Sequence, residues 1–110
     1  MNIVILDAYS VNPGDISWEP IRAFGSLTVY DHTPPEQIGE RIANADAVFT
    51  NRARLGEAEF SQAPQLRFLC VFATGYDKID LASARRHNIA VCNVPGYSTE
   101  AVAQHAIALL

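Results

Sequence analysis

The chain has 110 residues, 49% of them hydrophobic and 18% charged, so it can bury one core and is too apolar to be disordered. Its formal net charge is −4 and its eight Lys and Arg residues form no long run, which argues against nucleic-acid and membrane-surface partners. This net charge is compatible with a small anionic ligand that is bound at a local site.

Three further patterns bear on compartment. No apolar stretch reaches the roughly 20 residues of a membrane span, and no basic region precedes the apolar start, so no signal peptide is predicted. Cys70 and Cys92 both lie in apolar runs and are predicted to be small core residues rather than a disulfide. Together these patterns favour a reducing cytoplasm.

Apolar runs typical of strands alternate along the chain with helix-like segments. The predicted strands are 2–7, 27–30, 47–50, 68–73 and 89–92. The predicted helices are 17–24 (ended by Gly25), a segment begun at Thr33 and running through Ala45, 57–63, 79–87 and an apolar helix from 99. The alternation predicts an α/β fold with a flavodoxin-like, parallel five-stranded sheet in the order 2-1-3-4-5 and helices on both faces.

The fourth predicted strand, 68–73, ends at a candidate ligand site. It is a continuous apolar run, as in a strand buried on both faces, and it breaks at Thr74-Gly75-Tyr76. Open α/β sheets bind ligands just outside the carboxyl ends of their strands, where a glycine lets backbone N–H groups approach an anion. Gly75 is therefore either such a ligand-approach glycine or an ordinary turn glycine.

Several familiar chemistries are excluded by the motifs. The glycines form neither GxGxxG nor a P-loop; they are Gly14, Gly25, Gly39, Gly56, Gly75 and Gly96. The three histidines are far apart, without HExxH or CxxC, so no metal site is predicted. No GxSxG elbow is present, and Thr50-Asn51 stands where a phospho-receiver domain would carry an acid.

The last residues are helical and apolar nearly all round, and the sequence stops at Leu109-Leu110 without a C-cap. We therefore expect the chain to be part of something longer. On this basis we also expect the isolated chain to hide its last helix by dimerisation, swapping or aggregation.

Three linked motifs then carry a family resemblance: ATGYD-x-ID from Ala73, NVPGYST from Asn93 and AVAQHAIALL from Ala101. With the less specific VFTNRARL from Val48, they make the chain resemble the D-isomer-specific 2-hydroxyacid dehydrogenases, and most closely the glycerate dehydrogenase (hydroxypyruvate reductase) branch. The resemblance implies a cytoplasmic homodimer that moves hydride between NAD or NADP and C2 of a small 2-hydroxy or 2-oxo acid.

The resemblance also implies a division of the chain. Residues 1–98 would be most of the substrate-binding domain, and 99–110 would begin the helix that crosses to a dinucleotide-binding domain absent from this sequence. The family's catalytic residues lie downstream, so no catalytic residue is assigned here and the chain alone is expected to be inactive. NAD or NADP would be bound mainly by the missing domain.

Substrate-binding residues follow from the same resemblance. The loop of Thr74, Gly75 and Tyr76 would offer backbone N–H groups to the substrate carboxylate. Asn51 and Arg52 would face the same cleft, with Arg52 either holding the carboxylate or remaining a solvated surface arginine.

Two residues of the crossing helix, Thr99 and Val102, would approach the nicotinamide. Asp77 departs from the asparagine often found after GY in this family, and we expect it to point away from the anion or to be paired.

The alternative to a dehydrogenase is a stand-alone flavodoxin-like binding module that self-associates through its C-terminal helix.

Overall fold

The computed structural model describes residues 1–8, 22–71 and 78–93. The strands are β1 (Asn2–Ile5), β2 (Ser26–Val29), β3 (Ala47–Thr50), β4 (Phe68–Val71) and β5 (Ala90–Asn93). The helices are a 3₁₀ turn (Pro35–Gln37) that runs into α1 (Ile38–Ile42), then α2 (Glu57–Phe60) and α3 (Leu81–Arg86). Residues 17–21 of the predicted helix 17–24, the predicted helix from 99 and the loop at 74–76 lie outside the described residues. The end of the first of these helices was predicted too late, since residues 23–24 form a turn.

The five strands form one parallel sheet in the order β2-β1-β3-β4-β5, which confirms the predicted topology. Each central strand is paired on both sides, as β1 is with β2 and β3. Because all strands run in the same direction, their carboxyl ends meet at one edge of the sheet, where α/β proteins bind ligands.

Both faces of the sheet are buried. On one face, strand side chains such as Val4 and Leu69 join Ile42 of α1, Phe60 of α2 and Ala84 of α3 in one apolar cluster. On the other face a second cluster is formed by six buried residues: Ile3, Ile5, Ala8, Ala47, Phe49 and Cys70. Burial on both faces explains why these strands are continuous apolar runs without alternation.

Local chemistry sets the ends of the helices. The Asp80 side chain accepts a hydrogen bond from the Ser83 backbone N–H and so caps α3. The helix therefore begins at Leu81, two residues later than predicted. Thr33 was predicted to start the helix before α1, but the N-cap position belongs to Pro34. The Thr33 hydroxyl instead donates to the Leu6 carbonyl oxygen (2.7 Å), which ties the loop after β2 to the end of β1.

Gly25 follows the turn at 23–24 and precedes β2, with φ of +155°. A Cβ there would collide with the Met1 carbonyl oxygen, so a glycine is needed for the first residue to approach this turn. None of the helices in the described ranges is long and apolar enough to cross a membrane.

Candidate functional site

A cavity of about 570 Å³ opens at the carboxyl ends of β1 and β3. This volume is in the range of small-molecule sites. Its lining among the described residues is Leu6, Asp7, His32, Thr33, Pro35, Ile38, Arg52, Ala53 and Arg54. The cavity therefore lies at the sheet edge where the topology predicts a ligand.

Asp7, two residues after the end of β1, lines the cavity and organises the end of β3. Its carboxylate accepts hydrogen bonds from the backbone N–H of Asn51 (2.9 and 3.1 Å) and of Arg52 (2.6 Å). The Thr50 hydroxyl donates to the same carboxylate at 3.2 Å. One acceptor group thus fixes three consecutive residues at the end of β3.

Thr50 is almost fully buried, and its hydroxyl is satisfied on both sides. While it donates to Asp7, it accepts a hydrogen bond from the Ala53 backbone N–H at 3.1 Å. This pair of bonds gives the loop after β3 a defined path, because a buried hydroxyl without partners would be costly. The loop carries Arg52 and Arg54 into the cavity wall.

Arg52 and Arg54 are both exposed, and neither guanidinium forms a salt bridge within the described ranges. His32 also lines the cavity. The two arginines carry more positive charge than Asp7 carries negative charge, and the Asp7 carboxylate already accepts hydrogen bonds from backbone N–H groups. The cavity wall is therefore suited to an anion, which a guanidinium can bind through paired, charge-assisted hydrogen bonds.

The loop that carries His32 is held in place by Arg41 of α1. Its guanidinium donates to the His32 carbonyl oxygen (2.9 Å), to the Thr33 hydroxyl (2.8 Å) and to the Gln37 side chain (2.8 Å). It also stacks on Tyr30, with the guanidinium carbon 4.0 Å from the ring centroid. Arg41 thus has a structural role and holds the loop that presents His32.

Of the predicted substrate-binding residues, Asn51 and Arg52 lie where they were expected, at the end of β3, and Arg52 lines the cavity. Thr74, Gly75 and Tyr76, and the predicted cofactor contacts Thr99 and Val102, lie outside the described residues. Their roles remain predictions.

Sequence reasoning missed Asp7, Arg54 and His32 as parts of this site. The signal for Asp7 was present, since an acid that ends a buried strand lies at the ligand edge of a parallel sheet. In the part of the chain that the structure describes, no group of three His, Cys, Asp or Glu side chains is placed to hold a metal ion.

Comparison with known proteins supports the fold and identifies relatives of the chain. The family profile described as D-isomer specific 2-hydroxyacid dehydrogenase, catalytic domain, matches residues 3–108. A hydroxypyruvate reductase of Blautia hydrogenotrophica is 43% identical over 113 residues, covering 100% of this chain and 35% of the relative. A glyoxylate reductase of Pyrococcus furiosus is 41% identical over 78 residues, covering 70% of this chain and 23% of the relative.

Among solved structures, an acyclic imino acid reductase (Bsp5) in complex with NADPH and D-Arg superposes with a TM-score of 0.75 at 28% identity. The match covers 98% of this chain and 35% of that structure. The chain therefore spans about a third of the length of the relatives that it matches from end to end. By sequence profile, by relatives and by fold, the chain belongs to the D-isomer specific 2-hydroxyacid dehydrogenase family.

Proposed function

We propose that this chain is the substrate-binding part of an oxidoreductase that acts at C2 of a small 2-hydroxy or 2-oxo acid of the glycerate and hydroxypyruvate type. The observation that carries the proposal is the cavity lined by Arg52. The cavity lies at the carboxyl ends of the strands, the usual ligand site of a parallel sheet, in a chain that belongs to this family. The relative named hydroxypyruvate reductase supports the substrate class, because its similarity covers the whole chain.

The proposed division of labour places substrate binding in residues 1–98 and the start of the crossing helix in 99–110. A nicotinamide cofactor, NAD or NADP, would supply or accept the hydride and would be held mainly by a further domain. The absence of GxGxxG from this sequence fits that division, since a dinucleotide pyrophosphate is usually held by such a loop at a helix N-terminus. We accordingly expect no hydride transfer from the 110-residue chain by itself.

In this proposal, the residues of the chain bind and orient the acid. Arg52 attracts the substrate carboxylate. The Arg52 backbone N–H donates to Asp7, and this hydrogen bond fixes the backbone from which the guanidinium extends. Asn51 contributes from the same strand end, and the loop of Thr74, Gly75 and Tyr76 adds backbone N–H donors.

The junction with the further domain would involve Thr99 and Val102, which we propose to approach the nicotinamide. We also propose that the enzyme is a cytoplasmic homodimer. The family resemblance supports the dimer, and the two free cysteines are compatible with a reducing compartment.

The test is the Arg52→Gln variant of the full-length protein, assayed with hydroxypyruvate and NADH. Loss of a charge-assisted contact to the carboxylate should raise KM about 10- to 100-fold. The value of kcat should change much less, since the contact is made equally in the ground state and the transition state.

Arg67→Gln is the matched control, because Arg67 is exposed and precedes β4 at the opposite edge of the sheet. Its KM should stay at the wild-type value. An unchanged KM in Arg52→Gln would remove Arg52 from the substrate site. A wild-type protein that reduces neither hydroxypyruvate nor glyoxylate would contradict the proposed function itself.

A further inference from the structure

The two cysteines meet across neighbouring strands on the face of the sheet opposite to the described helices. Cys70 of β4 and Cys92 of β5 are directly paired in the parallel register. Their Sγ atoms lie 3.1 Å apart, although 22 positions separate them in sequence. Both thiols are free, and neither belongs to the lining of the cavity beside Arg52.

We propose that this pair is a modification site at which a hydroperoxide oxidises the two thiols to an intramolecular Cys70–Cys92 disulfide. The proposal does not depend on the dehydrogenase activity, since it rests on the sheet register and on the sulfur geometry alone. It assigns chemistry to two side chains that the substrate site leaves unused.

The two sulfur atoms lie in different environments and therefore have different roles in the oxidation. Cys70 is 1% exposed, whereas Cys92 is partly exposed and so accessible to a small oxidant. A hydrogen bond from the Cys70 thiol lowers the pKa of Cys92 to about 7, against the opposing effect of burial. The same interaction, together with burial, raises the pKa of Cys70. Cys92 is therefore the thiolate that reacts first, since the thiolate is the nucleophile.

The reaction balances in two steps. The Cys92 thiolate attacks one oxygen of the hydroperoxide, so an S–O bond forms, the O–O bond breaks, and water or an alcohol leaves after protonation. The Cys70 sulfur then attacks the Cys92 sulfur, so the S–S bond forms, the S–O bond breaks, and hydroxide takes the Cys70 proton and leaves as water. The thiols lose two electrons in total, and the hydroperoxide gains them.

The backbone already holds the pair close to bonding distance. The sulfurs must approach from 3.1 Å to the S–S distance of about 2.05 Å. The two residues are directly paired in the register of β4 and β5, so the sheet keeps their side chains next to each other. Thiol–disulfide exchange with an excess of another thiol breaks such a bond, and we therefore expect a reversible modification rather than a permanent link.

The experiment treats the reduced wild-type chain with one equivalent of hydrogen peroxide and reads the intact mass after alkylation under denaturing conditions. We expect a mass lower by two hydrogen atoms, no alkylated cysteine, a monomer on a non-reducing gel, and full reversal by dithiothreitol. The oxidation rate should rise with pH around the pKa of Cys92, about 7. Because the sequence has two cysteines, an intramolecular disulfide identifies this pair.

Two serine variants test the assigned order. Cys70→Ser should accumulate a sulfenic acid at Cys92 that dimedone traps, because the second thiol is missing. Cys92→Ser should leave the buried Cys70 thiol unreacted at the same peroxide dose.

Three results would overturn the proposal: two intact thiols in oxidised wild type, a disulfide only between chains, or equally fast oxidation of Cys70 in Cys92→Ser. The wild-type mass decides the matter even if a serine variant fails to fold.

Discussion

Asp7 shows how a single carboxylate can organise the end of a neighbouring strand. Three donors contact this side chain: the Thr50 hydroxyl and the backbone N–H groups of Asn51 and Arg52. An ionised carboxylate suits this environment because it has only acceptor sites. Asparagine does not suit it, because one of its two terminal groups is a donor and would face another donor.

We predict that Asp7→Asn lowers the free energy of unfolding by about 1–3 kcal/mol, the usual cost of losing hydrogen bonds to a charged group in a partly buried site. Urea unfolding followed by circular dichroism measures this difference. In the proposed full-length enzyme the same variant should also raise KM, because the Arg52 backbone is no longer fixed.

The matched control is Asp31→Asn, which makes the same chemical change at an exposed position. Its unfolding free energy should stay within about 0.5 kcal/mol of wild type. If the two variants lose the same stability, Asp7 does not hold the loop in the way that the hydrogen bonds indicate.

At the scale of elements, α2 and α3 are linked through Glu57. Its carboxylate contacts the His87 ring nitrogen Nε2 at 2.8 Å and the Arg86 guanidinium at 3.2 Å, and it accepts from the Ser61 hydroxyl at 3.1 Å. The hydrogen bond with His87 is the largest cause that lowers the pKa of Glu57 from 4.5 to about 2, followed by those with Arg86 and Ser61. The Glu57 side chain is 52% exposed, so salt screens this link.

The sign of the pH effect follows from the lowered pKa. The folded state favours the ionised carboxylate, so Glu57 contributes stability above its ordinary pKa of 4.5 and loses that contribution as the pH falls towards about 2. We therefore predict that Glu57→Gln has a lower midpoint of thermal unfolding than wild type at pH 6. The gap should close between pH 4.5 and pH 2, and it should narrow in high salt.

Glu36→Gln serves as the control, because Glu36 is exposed and no ion pair of its side chain is seen in the described part of the chain. Its midpoint should follow the wild-type pH curve. A Glu57→Gln gap that is independent of pH would mean that the link between the helices is not electrostatic.

How far the elements follow from the sequence depends on how local their causes are. The strand at Ala47–Thr50 was predicted with its observed bounds because four buried apolar or β-branched residues stand between polar neighbours. The strand order also followed, since alternating strands and helices restrict the topology to a few right-handed arrangements. The predicted helix 57–63 was too long, since the observed helix ends at Phe60 and turns continue after it.

The candidate site was harder to predict because its contacts are long-range. Thr33 has the sequence context of a helix cap, yet its hydroxyl bonds to Leu6, 27 positions away. Asp7 likewise reaches Asn51 across 44 positions. Local propensity carries no information about such partners, and they become visible only when the sheet brings the ends of β1 and β3 together.

For the whole molecule, stability depends on the apolar layer between the sheet and the described helices. Leu69 of β4 is fully buried in this layer with Phe60 of α2 and Ala84 of α3. A truncation at Leu69 removes contacts to several elements at once, and the fixed sheet can collapse only partly around the cavity that remains.

We predict that Leu69→Ala lowers the free energy of unfolding by about 2–5 kcal/mol. The matched control is Leu81→Ala, the same truncation at a side chain that is 44% exposed, and it should cost much less. Urea unfolding of the two variants under identical conditions measures the difference. Since a domain of this size has a total stability of about 5–15 kcal/mol, Leu69→Ala should remove a substantial share of it. Equal losses in the two variants would contradict the placement of Leu69 in the layer that joins the sheet to its helices.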